Sequence, residues 1–225
     1  MPNWTIYLVI SIIFILIFIL FSNYKKNYIK KLSTILYKDN NADEFINKIN
    51  SFEGKTLINY KIRLFRLIDA YALKQDIDKV IETFKSLEKM KLSFGQEVTL
   101  YEKEVVFYVE NNMYDEAKVA NDKVQELNKK VEIPDLNKIA INCESLIKIY
   151  VNKDGSLANE MVKAGDESKI NIVKGTYYFR AAKCFYYKKD NKMVEKYLEK
   201  AFNYLHQTSL NQMVSECIKD HSKLD

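Results

Sequence analysis

Histidines, cysteines and clustered carboxylates are the first places to look for chemistry in this 225-residue chain. The two histidines, His206 and His221, fall near the C-terminal end among polar neighbours. That is the setting of solvated imidazoles, not of a buried general base. Cys143, Cys184 and Cys217 are odd in number and far apart. They read as reduced, buried thiols, since a zinc site or a disulfide framework wants close pairs. Glu102, Glu104 and Glu110 lie close in sequence, but on a charged helix face where solvation is expected rather than acid–base pairing. A Gly-rich phosphate loop, an HExxH pair and a nucleophile elbow are all missing. The sequence predicts no catalytic residue, no metal ligand and no cofactor, so the chain is not expected to be an enzyme.

The aromatics are the remaining candidates, with sixteen tyrosines and twelve phenylalanines. They either fill a core or form a binding surface, and only the elements that carry them decide which. The first element is at the N-terminus. No charged side chain occurs in the first 22 residues, and Trp4 to Phe21 is a nearly unbroken apolar run. As a helix it rises about 27 Å, close to the hydrocarbon thickness of a bilayer. It is apolar all round, whereas a core helix in so polar a chain would carry a stripe. Nothing basic precedes it and no small-x-small site follows, so it reads as a retained transmembrane anchor (1–23, with 4–21 in lipid) and not as a cleaved signal. Lys25, Lys26, Lys30 and Lys31 follow the span and no Lys or Arg precedes it. The positive-inside bias then puts the N-terminus outside a cell membrane and the C-terminal part in the cytoplasm. Trp4 and Tyr7 at one end, Tyr24 and Tyr28 at the other, suit the interfacial belts.

Residues 24–225 carry all 35 basic and 30 acidic residues and the whole net charge of +5. The signs are interspersed, which suits a solvated surface near an anionic leaflet and is too even for a nucleic-acid binder. Glycine and proline are scarce; Gly54, Gly95, Pro134, Gly155, Gly165 and Gly175 punctuate segments of 3.6-residue apolar periodicity, and strict alternation is missing. An all-α domain of about ten helices, each roughly 12 to 20 residues, is predicted, with no linker long enough to split it.

The helices repeat. Phe45, Val80, Ala117, Ala158 and Val194 are separated by 35, 37, 41 and 36 residues. Nine residues before each stand Leu36, Tyr71, Tyr108, Ile149 and Phe185. Four after stand Ile49, Phe84, Asn121, Val162 and Leu198, and seven after stand Phe52, Leu87, Val124, Gly165 and Ala201. One such hairpin cannot bury its own apolar face, so neighbours must stack and the end needs a cap. Ser209 to Lys219 is expected to supply it, with Leu210, Met213, Val214, Cys217 and Ile218 on one side. The predicted architecture is a single transmembrane helix, then an α-solenoid of about five helical hairpins with a capping helix.

These columns resemble the tetratricopeptide repeat, a helix–turn–helix unit. The clearest match is Tyr178, Ala181, Ala182, Phe185, Val194, Leu198 and Ala201; the next is Leu64, Leu67, Ile68, Tyr71, Val80, Phe84 and Leu87. Glu104 and Asn121 stand where the pattern has apolar residues, and the family's usual glycine and closing proline are absent. The resemblance implies that certain first-helix positions line a concave face. In the last repeat these are Phe179, Lys183, Tyr186 and Tyr187; in the second they are Phe65, Asp69, Ala72 and Leu73. An aromatic pair beside a lysine is a plausible peptide clamp, so Phe65, Asp69, Phe179, Lys183, Tyr186 and Tyr187 are the expected partner-binding residues. The expected function is that of a membrane-anchored cytoplasmic scaffold binding a protein or peptide partner, itself membrane-associated. The alternative is an assembly factor or regulatory subunit of a membrane complex, acting mainly through its transmembrane helix.

Overall fold

A computed structural model of the chain describes residues 3–131, 133–205 and 210–225. Among these every regular element is helical, and the chain divides into two compact units, Met1–Ser93 and Phe94–Asp225. The first unit holds α1 (Asn3–Tyr37), α2 (Ala42–Asn50), α3 (Phe52–Leu57), α4 (Tyr60–Leu73) and α5 (Ile77–Glu88). The second holds α6 (Phe94–Glu110), α7 (Tyr114–Lys130), α8 (Pro134–Leu146) with a π-helical turn over Ile147–Val151, and α9 (Ala158–Glu167). It continues through α10 (Asn171–Tyr187), α11 (Asn191–Leu205), α12 (Leu210–Lys219) and a 3-10 turn over His221–Leu224. The described α-helices number twelve, more than expected, because α2, α3, α9 and α12 are shorter than 12 residues.

α1 is unbroken over 35 residues. Its apolar half, Leu8 to Phe21, is exposed throughout, and it is long and apolar enough to cross a membrane. Its second half is different in kind: Tyr28, Leu32, Ile35 and Leu36 are buried, and α2 packs against it. One helix therefore carries both the exposed apolar run and a face of the first unit's core.

Five non-glycine residues have left-handed backbone: Asn40, Gln75, Asn112, Lys153 and Lys189. Each lies five positions before one of the repeat anchors, and all five anchors are fully buried. Three of the turns share one bond pattern. The amides of Asp76, Met113 and Asp190 donate to the carbonyls of Tyr71, Tyr108 and Phe185 at 3.0, 2.8 and 3.0 Å. This is the helix-ending arrangement in which a left-handed residue redirects the chain. Asn41, Asp76 and Asp190 follow at once and accept the first amides of the next helix, from Glu44, Lys79 and Met193. Stop and start signals thus share three residues, and α4 packs on α5, α6 on α7 and α10 on α11. In the other two turns the bond spans one residue more, from Asn41 to Ile35 and from Asp154 to Lys148, both at 2.9 Å.

Several expectations need correction. Gly155 lies in the turn before α9 and Pro134 opens α8, as expected, but Gly54, Gly165 and Gly175 lie within α3, α9 and α10. A Cβ on Gly165 would sit 2.7 Å from the Tyr178 ring, and one on Gly175 would sit 2.6 Å from Leu205. Their role is close helix packing. Phe52 does not join the core column: α2 stops at Asn50, Ser51 caps α3, and Phe52 is left 87% exposed. Glu104 is buried, not on a solvated face, because α6 packs against both α7 and α8. Asn121 is buried too, and donates to Glu144 Oε2 at 3.0 Å. In α12 only Val214 and Cys217 bury fully, while Met213 and Ile218 stay exposed. His206 and Ser209 lie outside the described residues.

Candidate functional site

The expected partner-binding residues fall in both units. In the first, Phe65 and Asp69 are half-buried on α4. Asp69 Oδ2 accepts a bond from the Tyr37 hydroxyl at 2.7 Å, and Arg66 donates to Ser33 Oγ at 3.3 Å. These bonds tie α4 to the end of α1, so Asp69 is already engaged within the unit. Ala72 and Leu73 are exposed.

The other four lie on α10, which is covered on two sides. One side carries Tyr178, Ala181, Ala182 and Phe185 against α11; the rings of Phe185 and Tyr197 stack at 5.4 Å between centroids. Tyr178 donates to Asp166 Oδ1 on α9 at 2.7 Å. The opposite side was expected to be open, and it is not. Phe179 and Lys183 are 8% and 7% exposed, while Tyr186 and Tyr187 are half-buried with their rings edge-to-face at 5.8 Å. Phe179 and Lys183 are therefore not free groove residues.

Lys183 shows what covers that side. Its ammonium donates to the carbonyl of Leu224, and to that of Asp225 at 3.3 Å. It also lies 5.0 Å from the Tyr150 ring centre and 5.6 Å from that of Tyr187. A desolvated cation over two aromatic faces is attracted to both. The Tyr187 hydroxyl reaches the Leu224 carbonyl at 3.4 Å, and Leu224 is fully buried in the core around α10. Burial lowers the pKa of the Lys183 ammonium, an effect opposed by the Asp225 carboxylate. Burial also raises the Tyr187 phenol.

The local sequence explains how the segment gets there. Asp220 accepts from the Ser222 amide at 3.0 Å and so starts the 3-10 turn. Lys223 pairs with Glu216 of α12 at 3.0 Å, and Lys153 pairs with Asp225 at 2.6 Å. Tyr150 is supplied by the π-helical turn, the kind of local widening often found where a helix departs from regular packing. The residue that sequence reasoning missed is Leu224, the lone apolar side chain in the last five residues.

Cys143 and Cys184 are buried on α8 and α10, and Cys217 on α12. Burial pushes the first two thiols up to about 12, against 9.0 when free. Because the folded value is the higher, their contribution is fully present below pH 9.0 and fades as pH rises towards about 12. Each thiol should cost up to about 1.4 kcal/mol per pH unit in that window. Unfolding temperature should fall there, and changing both cysteines to Ala should flatten the slope. An unchanged slope would mean that the thiols ionise normally in the folded chain.

Among the described residues no three His, Cys, Asp or Glu side chains gather in a way that could hold a metal ion. A cleft of about 380 Å³ lies in the first unit, between α1 and the α2–α3 corner. Comparison of the chain with protein-family models, with curated proteins and with solved structures finds no match in any of the three.

Proposed function

We propose that the chain is a membrane-anchored scaffold whose tetratricopeptide-like hairpins bind a protein or peptide partner on the cytoplasmic side. The observation that carries this reading is the continuity of α1. The same helix presents an exposed apolar run and then buries Leu32, Ile35 and Leu36 in the first unit. Partner-binding residues would therefore be tethered to the membrane, which raises the effective concentration of membrane-associated partners. The five left-handed turns, each in the same register with a buried anchor, support a repeated hairpin. The surroundings of Lys183 add a chemical argument: a cation set over two tyrosine rings already holds the main chain of residues 224 and 225, and one of those tyrosines, Tyr187, bonds to the Leu224 carbonyl. A partner would meet the accessible edges of Tyr186 and Tyr187, with Phe179 and Lys183 as support behind them, and Phe65 beside Asp69 in the first unit.

A photoreactive amino acid at position 186 of the full, membrane-bound chain tests this. It should yield a discrete adduct that is missing when the probe is moved to the exposed position 119 on α7. The adduct should survive replacement of residues 4–21 by an unrelated apolar helix. Loss of the adduct on that replacement would favour the alternative in which the span makes the specific contact. Identical products at 186 and 119 would count against a partner surface on α10.

A further inference from the structure

The α2–α3 corner has a property that anchoring alone does not explain. Tyr24 donates its hydroxyl to Glu53, and Tyr28 donates to the Lys48 carbonyl at 2.8 Å. These bonds fix residues 48–53 alongside residues 24–28 of α1. Tyr24 lies three residues past Phe21, the end of the apolar run, which is a rise of about 4.5 Å. Tyr28 lies about 10 Å past it by the same rise. The headgroup layer on each side of a bilayer is roughly 5–8 Å thick. If α1 spans a membrane, the end of the corner beside Tyr24 stands at headgroup depth and the end beside Tyr28 just outside it, within reach of a lysine side chain.

The cleft there is lined by Tyr24, Asn27, Lys31, Lys48, Ser51 and Glu53, over a floor of Tyr28 and Leu32. Helical side chains lean towards the helix N-terminus, so Lys31 reaches back along α1 towards the bilayer. Glu53 takes the Tyr24 hydroxyl, and Glu44 lies 3.6 Å from Lys48 at an exposed position where such pairs are weak. Lys25, Lys26, Lys30 and Lys55 stand exposed nearby and leave the surroundings positive. Phe52, between Ser51 and Glu53 at the same depth, is 87% exposed. An aromatic ring has its preferred place at the interface between headgroups and acyl chains.

Resting on the reading of α1 as a membrane span, we propose that this cleft binds the phosphodiester of an anionic glycerophospholipid. Lys31 and Lys48 are its cationic donors, and Phe52 dips into the interface beside it. The corner is then a second membrane contact, which fixes the first unit's orientation to the bilayer surface.

The test uses the full chain in vesicles, with Phe52→Trp in a Trp4→Phe background. Emission from the indole at position 52 should be blue-shifted. Brominated phosphatidylglycerol should quench it at least three-fold more effectively than brominated phosphatidylcholine. Lys31→Gln with Lys48→Gln should abolish that preference, and Lys31→Arg with Lys48→Arg should keep it. Lys25→Gln with Lys26→Gln removes the same charge and should leave most of the preference. Water-exposed emission, equal quenching by the two lipids, or equal losses from the two glutamine pairs would overturn the site. So would competition by soluble glycerol phosphate, which would identify a free-phosphate site instead. Release of the chain from vesicles by alkaline carbonate would show that the anchor reading itself had failed, a separate result.

Discussion

Replacing Phe185 by Ala should cost about 3–5 kcal/mol of stability, the usual range for a buried phenylalanine. Phe185 is buried at the α10–α11 contact, its ring stacked on Tyr197 with an angle of 7° between planes. Ala181, Ala182 and Val194 of the same core cluster are too short to refill the space. The cavity should therefore stay open, and the loss should lie towards the upper end of the range. Tyr186→Ala, one residue on, should cost only about 1 kcal/mol, because that ring is half-exposed and part of its transfer energy is already unused. Urea unfolding followed by circular dichroism measures both. The contrast tests the register of the last hairpin. If Tyr186→Ala proved the more damaging, α10 would have to be turned by about 100° from its assigned face.

What could be read in the sequence follows from which signals are local. Anchor residues recur every 35 to 41 positions, and all five are fully buried, because a residue packed between two helices must be small or apolar. The turns behind them were legible only as short polar stretches. The left-handed residues are Asn, Gln, Asn, Lys and Lys, not glycine. Such a backbone costs a non-glycine residue roughly 1–2 kcal/mol, which helix packing on both sides can offset, so no composition signal has to mark it. Phe52 misled for a related reason. Its place in the column assumed one continuous helix, but Ser51 accepts the Gly54 amide at 3.1 Å and starts a new one. The candidate groove was the least legible feature. Periodicity identifies one buried face of a helix, here the side of α10 towards α11. It is silent on whether the opposite face is open or covered, and Lys183 on an otherwise apolar face looked like a solvent-facing residue. Its cover comes from residues 41 and 42 positions away, a contact that no repeat pattern encodes.

Lys183 should for that reason behave unlike an ordinary surface lysine. Substitutions at exposed lysines usually stay within about 0.5 kcal/mol. Lys183→Ala removes a charge-assisted bond to the Leu224 carbonyl, of the kind that contributes about 1.5–3 kcal/mol, together with the packing of its stem. A loss of about 2–4 kcal/mol is expected. Lys183→Met keeps the stem and removes the ammonium; since burial penalises that charge, the loss should shrink to about 1 kcal/mol. Leu224→Ala empties a fully buried position and should cost about 2–5 kcal/mol where the 3-10 turn stays seated, less where the segment frays instead. Fraying would appear as faster amide exchange and proteolysis confined to residues 220–225. Because Lys183 binds the main chain of the residue whose side chain is removed, Lys183→Ala and Leu224→Ala should not add. Their coupling should reach about 1 kcal/mol or more, as for residues in direct contact. Additive effects, with Lys183→Ala within about 0.5 kcal/mol of the parent chain, would mean that the segment does not hold Lys183 in solution. The ammonium would then be available on the face of α10, where the expected repeat register places it.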